Sequence, residues 1–288
     1  MASFINRVKL TARARGIVFV AVKNSDCKAI VGKSRANLQT SLDREPTNKG
    51  KAVWRFRIGV WDQLDRLHRT RGANQFCGNV AVSPDFRRSM LLKNATMYRP
   101  DTAIMLAFQL DEDGEEFNLV ALAHYSKAQD INEFGPSRQV GALGVRIRAA
   151  IAGDKQLELD LICSQGATRT TASLLLEFVF AKELARKAGG RRKYTSIVTH
   201  AVHYSDERGR VHIPLAGILT RLGFVKAKMP PEPGRARGDP PIPRHVFILL
   251  SDPGGQTVEQ KLEDGLPPLG PIQNMCPLAP KSGIAYCQ

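Results

Sequence analysis

The chain has 288 residues, 43% of them hydrophobic and 24% charged, a balance that excludes a disordered polymer and suffices for one large core or two modest ones. No apolar run reaches the roughly 18 residues a membrane helix needs, so no membrane partner is expected. A net charge of +15 and a pI near 9.9 make this a basic protein that favours anionic partners: nucleic acid, a phosphorylated cofactor or an acidic surface.

Residues 1–50 read as a basic N-terminal extension. Up to residue 42, Arg7, Lys9, Arg13, Arg15, Lys23, Lys28, Lys33 and Arg35 face a single acid, Asp26. Such a bias fits an organelle transit peptide or a basic arm on phosphates. The run Ile17-Val-Phe-Val-Ala-Val22 reads as a strand, so part of the extension is folded. Cys27, Cys77, Cys163, Cys276 and Cys287 are odd in number and lack metal-ligand spacing. They point to free thiols in a reducing intracellular compartment, with organelle targeting and a virion left open. On this reading Cys163 is a small buried hydrophobe.

From residue 52 to 71 the period becomes helical, with Val53, Phe56, Val60, Leu64 and Leu67 on one face and Trp54 and Trp61 near it. Residues 102–110 and 117–125 form two β-rich runs around Asp113-Gly114, a hairpin signal. Residues 140–152 read as a strand or a short helix. The apolar strand LELDLICSQ follows from Leu157. A polar turn, Gly166-Ala167-Thr168-Arg169-Thr170-Thr171, leads into a long helix expected over 172–188 and ended by Gly189-Gly190. The basic cluster Arg191-Arg192-Lys193 precedes a strand at 194–201, and a short helix at 214–222 closes on Gly223-Phe224. A Pro/Gly/Arg loop over 229–244 comes before a strand at 245–250. The expected organisation is an extension over 1–50, a domain over 51–250 with its core at 102–250, and a Pro/Gly-rich tail over 251–288.

A strand that delivers its C-terminal end to a helix N-terminus leaves backbone N–H groups aimed at one spot. With the helix dipole, that spot suits a diphosphate.

The stretches MLAFQLDEDGEEFNLVALAHYSKA, LELDLICSQGATRTTASLLLEFVFAKELARKAGG, TSIVTHAV and IPLAGILTRLGF, in this order, resemble the GNAT superfamily of acyl-CoA-dependent N-acyltransferases. The resemblance covers about half the chain and implies an α/β (α+β) fold with a mixed, mostly antiparallel sheet flanked by helices. It also implies acetyl-CoA as cofactor and no metal. The family's Arg/Gln-x-x-Gly-x-Gly/Ala turn maps so that Ala172 takes the final small position, Thr170 the middle glycine and Ala167 the Arg or Gln. Thr168, Arg169, Thr170, Thr171 and Ala172 then become the diphosphate site. The main chain of Leu161, Ile162 and Cys163, opposite residues 197–200, becomes the pantetheine site.

Transfer to an amine needs a base for the ammonium proton and an acid for the leaving thiolate. Glu158 and Asp160 alternate onto one strand face and are the candidate bases; solvated acids on a strand edge are the plain alternative. Leu219 stands where many family members carry an acid tyrosine, so Tyr204 or His203 takes that role. His200 and His212 are further titratable groups. The acceptor amine is not specified. Two readings follow: an acetyl-CoA-dependent N-acetyltransferase, or a non-catalytic GNAT-like protein of a nucleoprotein assembly or virus particle.

Overall fold

In the computed structural model the described residues are 2–22, 24–30, 33–69, 103–111, 113, 115–127, 138, 140–152, 155–164, 169–188, 191–201, 204–205, 211–212, 215–231, 245–251 and 255–264. The chain forms two compact units. One comprises Asn6–Tyr125, Leu161–Phe178 and Pro268–Gln288, and the other Met1–Ile5, Ser126–Asp160 and Val179–Pro267.

The first unit is built on β1 (Ile17–Val22), β2 (Ala103–Leu110) and β3 (Phe117–Lys127), which pair antiparallel in sequence order. Helices α1 (Ala2–Arg13), α2 (Asn24–Ile30), α3 (Arg35–Asp43) and α4 (Asn48–Arg69) fill what the sequence marks as a basic, weakly patterned region. The buried residues Phe4, Val8 and Ala12 fall four apart on α1, which is a helix stripe beneath the cationic composition. The run IVFVAV is a strand, as its β-branched content implies.

Helix α4 begins shortly after α3. Thr47 Oγ1 accepts from Gly50 N–H at 3.0 Å, and Glu45 accepts from the Thr47 amide and hydroxyl, an N-terminal cap in a helix start without acids. Its buried stripe is Ile58, Val60, Gln63 and Leu64, whereas Val53 is 39% exposed. Val60 lies two turns on from Val53 on the same face, so this face is buried at Val60 and Leu64 and exposed near the helix start. With Val18, Val20, Leu38, Ile104, Phe108, Phe117 and Leu122, this stripe closes one apolar cluster.

Gln63 is buried for a specific reason. Its side-chain amide donates to Phe117 O at 2.9 Å and accepts from Leu119 N–H at 3.1 Å. One side chain thus supplies the donor and acceptor that a neighbouring strand would otherwise offer to β3.

The second unit contains the parallel pair of β4 (Gln156–Ser164) and β7 (Ser196–His200), followed by β11 (Val246–Leu249) and β10 (Val225–Ala227), both antiparallel. Helix α5 (Gly141–Ala152) is the helical of the two expectations for this segment. Its Ile147 and Ile151 pack with Val198, Ala227, Met229, Val246 and Ile248. The strand order of the seven-stranded sheet is β1-β2-β3-β4-β7-β11-β10. Two short ribbons stand apart, β5 (Lys187–Ala188) with β6 (Arg191–Arg192) and β8 (Tyr204–Ser205) with β9 (Val211–His212).

Helix α6 spans Arg169–Leu184, starting earlier and ending earlier than expected. Ala185 and Arg186 close its last turn onto Ala181 O and Glu183 O, so the chain has left the helix before Gly189-Gly190. Helix α7 (Ala216–Arg221) ends as expected: Gly223 adopts φ +82°, and Phe224 N–H bonds Leu219 O at 2.9 Å, which is the left-handed C-terminal closure glycine permits. Beyond residue 250, where a tail is expected, α8 (Val258–Asp264) buries Val258 and Leu262 one turn apart. The loop residues 232–244 and the tail residues 265–288 lie outside the described residues, as do Cys77, Cys276 and Cys287. No helix among the described residues is long and apolar enough to cross a membrane.

Cys163 corrects an expectation. It is buried, but as half of a disulfide rather than as a free thiol. No local pattern in the sequence announces the bridge. Cys27 is a buried free thiol. Burial first, and the Asp26 carboxylate second, push it up from 9.0 to about 12.

Two outcomes check this packing. Gln63→Leu keeps the shape but strands Phe117 O and Leu119 N–H, and chemical denaturation is expected to register a loss of about 1–3 kcal/mol for each group. For Cys27 the folded thiol holds a proton that the unfolded chain releases above pH 9.0. Its contribution to stability is full below that pH and is lost towards pH 12. Cys27→Ala is therefore expected to flatten the alkaline fall in denaturation midpoints, and native Cys27 to resist alkylation near neutral pH.

Candidate functional site

The site grows from β4. Gln156, Glu158 and Asp160 alternate with Leu157 and Leu159, so the acids share one face and the leucines line the other. Both leucines are fully buried, and Glu158 is 8% exposed. Since β4 lies between β3 and β7, the plain alternative of solvated acids on a sheet edge does not hold. Asp160 is half-buried, and Ser126 Oγ donates to its Oδ2 at 3.1 Å. Ser126 itself is 3% exposed. A hydroxyl fixed in this way holds the carboxylate in one orientation, which a proton acceptor needs.

The parallel ladder runs from Gln156 opposite Ser196 to Leu159 opposite Thr199. Among the described residues it stops there, and β4 continues through Asp160 to Ser164. Thr199 Oγ1 donates to Leu159 O at 3.1 Å, a side-chain bond at the last rung. Residues 197–199, expected across a splay, therefore lie in the paired segment, and only His200 extends past it. Leu161, Ile162 and Cys163 belong to the part of β4 beyond that last rung, with the Cys163 side chain committed to its disulfide.

At the far end, α6 starts at Arg169, so Arg169, Thr170 and Thr171 form its first turn instead of a loop ahead of it. The orphan amides of a helix belong to its first turn, which moves the anion-facing donors onto these three residues. Thr171 and Ala172 are each 3% exposed; their side chains pack inward and only their main chain is on offer. Thr168 lies outside the described residues. α6 is buried along most of its length. Phe178 stacks on Phe19 at 4.7 Å between ring centroids in one unit, and Phe180 meets Phe224 at 5.7 Å in the other.

Leu219, at the position of the family's acid tyrosine, is completely buried in α7. Tyr204 sits in β8 opposite His212. His203 lies outside the described residues. No three His, Cys, Asp or Glu among the described residues come together as a metal site. Sequence reading missed Ser126 and Thr199. Ser126 ends an apolar strand, and its link to Asp160 spans 34 positions.

Hairpin, strand, buried crossover helix, parallel strand, short helix ending Gly-Phe and final strand follow one another in the expected order, within a mixed, mostly antiparallel sheet. The fold is GNAT-like. No family model matches the sequence, and no curated protein matches it. Among solved structures, the chain is similar to an acetyltransferase of GNAT family from Streptococcus pneumoniae, with 13% identity over 81% of this chain and 98% of the other and a TM-score of 0.34. It is also similar to the loading GNATL domain of CurA from Lyngbya majuscula, with 10% identity over 84% and 98% and a TM-score of 0.39. Identities this low concern fold alone, and the GNAT-like description rests on the element and strand order.

The residues present fit the chemistry of coenzyme A through their main chain. A strand that outruns its partner can offer amides and carbonyls to an extended arm, and a helix first turn can offer amides to a diphosphate.

Thr199→Val tests the last rung. It removes a buried donor and leaves Leu159 O short of one partner, with an expected loss of about 1–3 kcal/mol by chemical denaturation and no change in overall secondary structure.

Proposed function

We propose that this protein is a GNAT-type N-acetyltransferase that uses acetyl-CoA and an amine acceptor. The observation supporting the reading is the extension of β4 past Leu159 and Thr199, immediately ahead of the first turn of α6. Bound acetyl-CoA supplies the activated thioester.

The chain's own residues divide the remaining work. The main chain of Leu161, Ile162 and Cys163 aligns the pantetheine arm, and the first-turn amides of Thr170 and Thr171 with the Arg169 cation hold the diphosphate. Ala172 keeps the next turn small. Asp160 takes the ammonium proton and frees the nitrogen lone pair. It is preferred to Glu158 because it is the more exposed of the two and is oriented by Ser126. Glu158, on the same face, adds negative charge that draws the acceptor in as an ammonium ion. Tyr204 is the candidate acid for the leaving thiolate.

One observation favours a second reading, a non-catalytic GNAT-like component of a nucleoprotein assembly or virus particle: Leu219 is wholly buried where the family's acid stands.

Thermal denaturation with acetyl-CoA separates the two. Ligand at a hundredfold its Kd is expected to stabilise the folded protein by about 2.7 kcal/mol, with a matching rise in Tm. Arg169→Glu is expected to abolish the rise by setting a carboxylate against the diphosphate. Asp160→Asn is expected to keep the rise while losing most acetyl transfer to an amine panel. No rise in the native chain at millimolar coenzyme would favour the non-catalytic reading.

A further inference from the structure

From Asn48 to Trp61, α4 carries Lys49, Lys51, Arg55 and Arg57 and no acid. Lys49 and Lys51 stand in its first turn, where the helix dipole favours carboxylates over cations. Lys51 and Arg55 are a like-charged pair one turn apart, an arrangement that weakens a helix. Local stability therefore argues against this set of charges.

The nearby carboxylates are committed elsewhere. Asp26 holds Arg57 at 2.9 Å and Asp62 holds Arg35 at 3.0 Å, while Glu45 accepts from the Thr47 amide and hydroxyl. Lys33, Lys51 and Arg55 enter no ion pair among the described residues. Lys33 and Arg55 are exposed and Lys51 is half-buried. Trp54 stands among them. Arg57 Cζ lies 4.6 Å from the centre of its ring, anchored there by Asp26, and Lys33 Nζ lies 6.0 Å from it. Lys51, three residues before Trp54, is its neighbour on the helix surface. The indole is only half-buried, so part of it faces solvent.

We propose that Lys33, Lys51 and Arg55, with Trp54 among them, form a docking surface for single-stranded nucleic acid. Cations that track phosphates, beside an aromatic ring on which a base stacks, make a sequence-tolerant strand site. A duplex keeps its bases stacked internally and an acidic peptide has none, so neither uses the indole. An anionic membrane is disfavoured because the apolar side of α4 is spent on the core through Ile58, Val60 and Leu64, leaving no apolar face to enter a lipid interface. The surface shares no residue with those assigned to acetyl-CoA, so the assignment does not depend on the transferase reading.

Fluorescence anisotropy of the full chain with labelled oligouridylate, a labelled DNA duplex and labelled polyglutamate, together with co-sedimentation on phosphatidylserine vesicles, tests it. Binding to the single strand is expected to weaken steeply with salt. Lys51→Gln/Arg55→Gln is expected to flatten the log–log salt slope by about 1.4, at roughly 0.7 for each single-strand phosphate no longer neutralised. The same variant is expected to melt no lower than the native chain, since it removes a like-charged pair, and to keep the native response of Tm to acetyl-CoA. Bound strand is expected to quench tryptophan fluorescence, and Trp54→Phe to remove most of the quench. No strand binding at low salt, an unchanged slope in the double variant, a quench that survives Trp54→Phe, or tighter binding to duplex, polyglutamate or vesicles would overturn the assignment.

Discussion

Parallel strands cannot be joined by a tight turn; they need a crossover, and here the crossover is α6. That constraint organises the site. Because β4 and β7 run the same way, α6 has to start just beyond the C-terminal end of β4, and its orphan first-turn amides come after a strand with main chain to spare. The ladder ends at Leu159 opposite Thr199, while β4 continues to Ser164. Topology thus leaves main chain of β4 beyond the parallel ladder, with little demand on side-chain identity.

Main-chain satisfaction is equally decisive elsewhere. Gln63 completes β3 with a single amide, Thr199 closes the last parallel rung with a hydroxyl, and Thr47 with Glu45 secures the start of α4. Each device is a polar side chain set where regular pairing stops.

Local pattern made the frame legible. Asp113-Gly114 between alternating apolar runs specified the β2–β3 hairpin, Gly223 specified the end of α7, and the β-branched run at 17–22 specified β1. Where a residue pattern had two physical meanings, reading it was harder. Gly189-Gly190 matched a helix C-terminus, yet the helix had already closed at Ala185 and Arg186. The cationic composition of residues 1–50 hid the four-residue stripe of Phe4, Val8 and Ala12. Of the candidate site, the strand with two acids ahead of a helix was legible. The preference for Asp160 was not, because it depends on Ser126 from another strand, and the Cys163 bridge was not, because it joins residues that no local rule relates.

Amide hydrogen exchange with and without acetyl-CoA measures the central claim at its own atoms. The account expects slowed exchange confined to Leu161, Ile162, Cys163 and the first turn of α6 at Arg169, Thr170 and Thr171, with β2 and β3 unchanged. Saturating coenzyme that leaves those amides exchanging at their free rate, or protects a different segment instead, would contradict it.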